Sequence, residues 1–235
     1  MKQEGKKEQV RKMFNSIAGK YDFLNHFLSL GTDHYWRRKL VNMLKQQHPN
    51  QVLDIATGTG DLAISIAKRI PNSKIIGADI SENMLEIGKQ KVIKKKLDKQ
   101  IKMELGDSEQ LNFADGFFDS VTVAFGVRNY EDLDLGLKEM QRVTKNKGTV
   151  YILEFSKPTV FPVKQIYNFY FNSILPLLGK GVSKDQSAYT YLPESVKNFP
   201  DGQNFLNHLA KAGYKDVKQK KMTFGIVSIY SGIKE

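Results

Sequence analysis

The stretch Val52-Leu-Asp-Ile-Ala-Thr-Gly-Thr-Gly-Asp61 concentrates residues that hold a ligand by its polar atoms. Two carboxylates, Asp54 and Asp61, flank the turn Thr57-Gly58-Thr59-Gly60. An apolar run that ends in glycines lets the backbone turn tightly and a cofactor approach closely. Asp79 ends the next apolar run about twenty residues on, where a carboxylate can accept from the two hydroxyls of a ribose. Gly58-Thr-Gly60-Asp-Leu-Ala63 also fits a loose dinucleotide pattern, so the turn alone suits more than one ribose-bearing cofactor.

Two features separate these cofactors. Gly106-Asp107-Ser108 follows a third apolar run, where a methyltransferase places an acidic side chain to accept from an adenine amino group. Asp54 and Asp61 suit a cationic sulfonium ligand with an amino group better than a pyrophosphate, which prefers a helix N-terminus free of carboxylates.

Those residues need elements to hold them, and the pattern supplies an alternation. Residues 52–56, 74–79, 101–105, 118–124 and 148–155 read as strands, and 61–69 and 133–143 as helices. A further helix starts at Ser81, which fits an N-cap with Glu82 in the first turn. Such alternation predicts a parallel sheet with helices on both faces. Five of the seven prolines and ten of the 25 aromatic residues then fall between 151 and 200. This marks residues 157–200 as an inserted cap. A helix at 203–212 and two strand-like runs, 214–221 and 223–232, close the chain. The two runs leave no room for a helix between them and must pair antiparallel. The expected fold class is α/β, a Rossmann-like sheet, mostly parallel with an antiparallel C-terminal hairpin, which resembles the arrangement associated with class I S-adenosylmethionine-dependent methyltransferases. Residues 1–235 form one domain in this reading, with an N-terminal helical segment at 1–48.

Composition sets the outer bounds. The chain has 235 residues, 40% hydrophobic and 26% charged. No run offers the ~20 apolar residues of a spanning helix. The first residues lack the apolar core of a secretory signal, so a cytoplasmic protein is expected. There is no cysteine, which excludes disulfides, thiolate metal sites and cysteine nucleophiles. His26, His34, His48 and His208 show no paired ligand spacing, so no metal is expected. The net charge is +11, and six lysines crowd residues 89–99. The bland reading is a solvated helix face. Attraction to an anionic membrane is the functional one. Nucleic acid is not expected, because no aromatics interleave the lysines.

A resemblance narrows the function. Tyr21-Asp-Phe-Leu-Asn25-His-Phe-Leu-Ser29-Leu-Gly-Thr-Asp33-His-Tyr-Trp36 resembles one signature of the ubiquinone/menaquinone biosynthesis C-methyltransferase family. Arg142-Val-Thr-Lys145-Asn-Lys-Gly148-Thr-Val-Tyr-Ile-Leu-Glu154-Phe-Ser156 resembles the second. Phe125-Gly-Val-Arg128-Asn129 matches the motif after the fourth strand. Ala188-Tyr-Thr-Tyr191-Leu-Pro-Glu-Ser195 and Met222-Thr-Phe-Gly225-Ile-Val resemble the C-terminal half. Three departures stand out. Asp33 replaces the first signature's usual histidine, Lys145-Asn-Lys-Gly148 replaces Lys-Pro-Gly-Gly, and Ala56 replaces the first glycine of the cofactor turn.

The resemblance implies S-adenosyl-L-methionine as methyl donor and C-methylation of demethylmenaquinol to menaquinol. A ubiquinone precursor is the alternative acceptor. A non-catalytic quinone- or lipid-binding module and an NAD-dependent dehydrogenase are the competing classes. The cofactor residues are then Asp54, Gly58, Thr59, Gly60, Asp79, Asp107 and Ser108. Arg128 and Tyr21 are the catalytic candidates, with Arg128 placed to stabilise a phenolate. Asp33, His34, Tyr189 and Tyr191 are the residues from which a general base would come. Against these stand structural readings: a surface salt bridge for Arg128, a helix-preceding cap for Asp79, and core packing for Phe23 and Trp36. The partner is a prenylated naphthoquinol. Residues 160–178, aromatic and broken by Pro162 and Pro176, read as core helix, as a channel wall, or as peripheral contact with the inner face of the cell membrane.

Overall fold

The computed structural model describes residues 5–174 and 187–235. Two helices lead, α1 (Lys6–Leu28) and α2 (Thr32–Lys45), followed by β1 (Gln51–Ile55), α3 (Asp61–Arg69), β2 (Lys74–Asp79), α4 (Glu82–Lys94), β3 (Ile101–Leu105), β4 (Phe118–Ala124), α5 (Leu133–Val143) and β5 (Thr144–Phe155). Most of these bounds follow from local chemistry. The Ser81 hydroxyl accepts from the Met84 amide at the start of α4, and Asp132 does the same for Leu135 before α5. Each satisfies a helix-end donor that would otherwise lack a partner. β5 starts four residues before the expected 148. A register shift between Phe118 and Ser120 lets the polar stretch from Thr144 stay paired with β4.

Among the described residues seven strands form one sheet in the order β3-β2-β1-β4-β5-β7-β6. β6 (Tyr214–Met222) and β7 (Val227–Lys234) pair antiparallel, and β7 inserts between β5 and β6, antiparallel to both. The other pairings are parallel. From β1 the chain steps outward to β2 and β3, then returns to β4 on the other side. Strand order therefore reverses between β1 and β4, and a crevice opens beyond their carboxyl ends.

Helices cover both faces of the sheet. α2, α3 and α4 bury Leu40, Leu44, Ile66 and Leu85 on one face, against Val52, Ile75 and Leu153. On the other, α5 and α8 (Gln203–Lys211) bury Leu137, Met140, Phe205 and Leu209 against Leu53, Val121, Ile152 and Tyr230. Each such buried side chain contributes roughly 1.5–3 kcal/mol over exposure. These two layers hold the strand ends in fixed register.

Between β5 and α8 come α6 (Val163–Phe169), a wide helical turn at Tyr170–Ile174, and α7 (Ser187–Asn198), with Pro193 inside it. Tyr167, Phe171 and Val196 form a small core of their own, with Leu28 of α1 and Leu192 packed against it. Val160, Phe161, Ile166 and Phe169 remain exposed, as do Asn168 and Ser173. The segment is neither a plain core helix nor a wholly exposed one. Residues 175–178 of it, with Pro176, lie outside the described residues.

Two sequence expectations meet different outcomes. Trp36 is buried, and its indole donates to the Thr223 hydroxyl at 2.7 Å. Phe23 does not pack on the core. It is 62% exposed and stacks on Phe27 along the outer side of α1. In the lysine run, Lys89, Lys94, Lys95, Lys96 and Lys99 face solvent, while Lys91 turns inward to Asp22 and Asp61. No described helix is long and apolar enough to cross a membrane.

Candidate active site

The crevice beyond β1 and β4 is framed by two strained residues. Ala56 (φ 51°) and Phe125 (φ 60°) both hold the left-handed conformation that side chains disfavour. Gly58, also left-handed (φ 57°), completes the turn. Gly126 follows Phe125, and a Cβ built on it would stand 2.5 Å from the Cβ of Ala56. The alanine at 56 thus fits the turn, at the cost of a strained backbone and with a bare backbone at 126 facing it.

A cleft runs along the strand ends past Tyr21, Gly58, Asp79, Met84, Asp107, Ser108, Phe125 and Asn129. Asp79 and Asp107 stand at its rim after neighbouring strands, as the sequence predicts. Asp79 Oδ1 accepts from the Ser81 amide at 2.9 Å and Oδ2 from the Gly58 amide at 2.8 Å. The carboxylate therefore ties the β2 end to the glycine turn, so the cap role coexists with its place in the cleft. Burial pushes its pKa up, and these amides pull it back. Asp107 accepts from the Glu109 amide at 2.9 Å and from Lys7 Nζ of α1 at 2.7 Å. Arg11 reaches Glu82, and Asn15 takes the Ser81 hydroxyl at 2.7 Å. Polar contacts thus seat α1 across the cleft.

A polar recess adjoins Gly58, lined by Arg37, Asp54, Thr57, Thr59 and Asp61. Asp54 is buried beneath it and accepts from Thr57 Oγ1 at 2.6 Å and Thr122 Oγ1 at 2.8 Å. Burial raises its pKa to about 6 against the pull of these hydroxyls. Asp61 pairs with Lys91 at 2.5 Å and with His26 Nε2 at 3.7 Å. The Thr59 hydroxyl donates to Asp22, so this residue lines the recess but faces α1 rather than the Asp79–Asp107 cleft. Gly60 (φ 81°) lines neither space and serves as the N-cap of α3.

Beside the cleft lies an apolar cavity of about 400 Å³. Leu24, Leu28, Trp36, Phe155, Tyr170 and Ile226 are among its walls, and Phe14, Tyr21 and Phe125 line both cavity and cleft. Burial raises the Tyr21 phenol above its ordinary pKa, so it stays a neutral donor near pH 7. Arg128 lines the cavity wall, and its bland reading is half right. It forms a salt bridge, but a buried one, 2.9 Å from Glu154, which is 0% exposed. Nη1 also donates to the Phe125 carbonyl, and Nε meets Ser195 at 3.3 Å. Nη2 has no partner among the described residues. Of the general-base candidates, Asp33 lines the cavity, and Tyr191 lines it and donates to Asn129 at 3.0 Å. His34 is exposed, and the side chain of Tyr189 lies outside the described residues.

Arg37, Glu154, Lys7 and Lys91 were not among the site residues that the sequence named. The ligand atoms of His26, Asp33 and His34 lie within 4.8 Å of one another. Asp33 is already engaged by Ser29, His26 and Arg37. Burial alone would raise its pKa, but Arg37, Ser29 and His26 outweigh that and hold it below the usual range. Here a guanidinium sits against the carboxylate a metal would need. Asp33 and Arg37 stand four apart on one helix, a spacing that does signal an ion pair. Glu154 carried a signal too, an acid ending an apolar strand. Lys7 and Lys91 carried none.

A model of the ubiE/COQ5 methyltransferase family matches residues 2–234. The chain is 48% identical over 232 residues to a demethylmenaquinone methyltransferase of Bacteroides fragilis, covering 98% of this chain and 95% of that protein. It is 46% identical over 230 residues to a ubiquinone/menaquinone biosynthesis C-methyltransferase of Geotalea daltonii, covering 97% of each. Among solved structures, a SAM-dependent methyltransferase from Thermotoga maritima aligns with a TM-score of 0.65 at 18% identity, over 96% of this chain and 99% of that one. Another from Aquifex aeolicus gives 0.60 at 18% identity, over 83% and 89%. At that identity the likeness is one of fold.

Proposed function

The chain belongs to the ubiE/COQ5 methyltransferase family, and from that premise we propose that it methylates a ring carbon of demethylmenaquinol, giving menaquinol, with S-adenosyl-L-methionine as donor. One observation carries this reading. A cleft with two carboxylates at its rim meets an apolar cavity of about 400 Å³ across Phe14, Tyr21 and Phe125. The cleft suits a ribose and an adenine, and the cavity suits a prenylated naphthoquinol.

When bound, S-adenosyl-L-methionine supplies an electrophilic methyl group. The protein's part is alignment, exclusion of water and charge. Asp79 and Asp107 hold the adenosine end, with Gly58 and Ser108 beside them. Tyr21 and Phe125 form the shared wall, so the acceptor carbon must lie against them. Such positioning supplies up to ~7–11 kcal/mol for well-oriented reactants. The acceptor carbon lies ortho to a phenolic hydroxyl. Loss of that proton makes the ring electron-rich, and loss of the ring hydrogen after transfer restores aromaticity. The Nη2 donors of Arg128 and the neutral phenol of Tyr21 stabilise the developing phenolate. Glu154, paired with Nη1, fixes the guanidinium plane.

We read the chain as one methyltransferase domain, in which α1, α2 and the described cap elements, from α6 through the turn at Tyr170–Ile174 and α7, wall the acceptor cavity. The cap also explains access. Leu30 and Ile166 line the cavity and are 86% and 64% exposed; exposed Phe161 and Phe169 lie near Ile166 in sequence, and exposed Phe224 lies between the cavity-lining Thr223 and Ile226. This apolar rim, with Lys164 and a net charge of +11, suits peripheral contact with an anionic membrane at the cytoplasmic face. The test is a methylation assay of the purified protein on reduced demethylmenaquinone and on a reduced ubiquinone precursor. Methylation of the naphthoquinol in preference supports the reading; turnover of the ubiquinone precursor alone, or of neither, rejects it.

A further inference from the structure

We propose that Arg37 is the clamp for the carboxylate at the amino-acid end of the methyl donor. This rests on the function proposed above, because it takes the polar recess beside Gly58 as the seat of that end.

Arg37 lies in the middle of α2, 7% exposed, with its guanidinium 5.7 Å from the centroid of the Phe125 ring. One of its nitrogens is used: Nη1 donates to Asp33. Nε and Nη2 donate to nothing among the described residues. A buried cation with donors unspent is costly unless an acceptor arrives. These donors are not sealed in the core, since the residue lines both the recess and the apolar cavity.

The recess itself selects the ligand. Among its described lining residues Arg37 is the one cation, and Asp54 and Asp61 are the acids. Lys91, nearby, is taken up by Asp22, Asp61 and Thr59. Arg128 lines the cavity but not the recess. One open cation facing two carboxylates, next to a tight glycine turn, is the complement of a small zwitterion. An α-amino acid carries that pair of charges, with the ammonium toward the acids and the carboxylate toward Arg37. A planar guanidinium meets a carboxylate through two parallel hydrogen bonds. Asp33 is then a positioning residue, held by Ser29 Oγ at 2.8 Å and His26 Nδ1 at 2.9 Å so that it fixes the guanidinium from behind.

The test compares two ligands on one protein by titration calorimetry. S-adenosylhomocysteine has the amino-acid end; 5′-methylthioadenosine keeps the adenosine and thioether and lacks it. Arg37→Met should weaken the first by about tenfold or more and leave the second unchanged. Arg37→Lys, which keeps a charge for Asp33, should fall between parent and Met on the first ligand only. The ratio of affinities is read within each variant, so a partial loss of folding cancels. Equal losses on both ligands would make Arg37 a structural prop and overturn the proposal. Unchanged S-adenosylhomocysteine binding with reduced turnover would assign Arg37 to the acceptor and overturn it equally. A parent protein that binds neither ligand would instead reject the reading of the cleft, and the clamp with it.

Discussion

Arg128 Nη1 lies 2.9 Å from Glu154 Oε1, and both side chains are buried at the wall of the acceptor cavity. Removing one member of such a pair leaves the other charge in a medium that solvates it poorly. Arg128→Ala should cost about 3–5 kcal/mol in urea unfolding. Arg128→Lys keeps a charge but loses the fork, and should lower turnover on a quinol while leaving S-adenosylhomocysteine affinity intact. Parent-like turnover in both variants would leave Arg128 with a structural role alone.

Asp79→Ala should weaken S-adenosylhomocysteine at least tenfold, since hydrogen bonds to a charged group contribute about 1.5–3 kcal/mol each. The same change also frees the Ser81 and Gly58 amides, so a small drop in melting temperature is expected with it. Asp107→Ala frees the Glu109 amide but leaves Lys7 its second partner, Glu109 at 3.2 Å, and should weaken the ligand with less effect on folding. Calorimetry and a thermal melt read both effects, and unchanged affinity in a folded Asp79 variant would displace the cofactor from this cleft.

Asp54 gives a pH signature. Its carboxyl has a folded pKa of about 6, raised by burial, against about 3.9 in an unfolded chain. Between those values the folded chain holds the extra proton. The contribution therefore favours folding below about pH 4 and is lost as pH rises through 6. Asp54→Asn removes this dependence. From about pH 7.5 down to about pH 4.5 the parent should gain on the variant by roughly 2 kcal/mol, measured by urea unfolding at both pH values. A difference that does not change with pH would mean that Asp54 titrates as an ordinary carboxylate.

The acceptor must be reduced. A hydroxylated ring donates electrons to the methyl, and a quinone ring does not. Methylation of demethylmenaquinone should require a reductant, and equal rates without one would overturn the mechanism.

The apolar rim makes a prediction for membranes. Vesicle co-sedimentation should show binding to anionic vesicles that weakens with salt and is much lower on neutral ones. Phe161→Ser and Phe169→Ser should reduce it without changing turnover on a detergent-dispersed quinol. Equal binding to neutral and anionic vesicles would remove the electrostatic part of the reading.

The parallel half of the sheet was legible because β1 to β4 each carry a signal of their own: an apolar run, then glycine or aspartate at or just past its end. Asp79 and Asp107 could be placed for the same reason, since strand ends converge in this fold whatever the loops do. Arg37 could not. It reaches the recess only because α2 crosses the turn after β1, and nothing in a helix's own periodicity tells which distant loop it will overlie. Phe23 failed for a related reason. An aromatic on an amphipathic helix reads as core unless the cavity beneath the helix is known. The reach of Lys7 across α1 to Asp107 is likewise a property of two distant elements.

The opposition of Ala56 and Gly126 restricts the order in which this chain can change. A side chain at 126 collides with the methyl of Ala56, whereas Ala56→Gly relieves a left-handed backbone and removes that 2.5 Å clash in one step, leaving only Val123 Cγ1, 3.1 Å from the added Cβ, to give by a few tenths of an ångström. Of the two routes to a glycine at 56 and an alanine at 126, the one that changes 56 first avoids that clash. Libraries that sample position 126 alone should return glycine, and the same libraries built on Ala56→Gly should return alanine as well. The history of a substitution, not its end state, then decides whether a descendant survives.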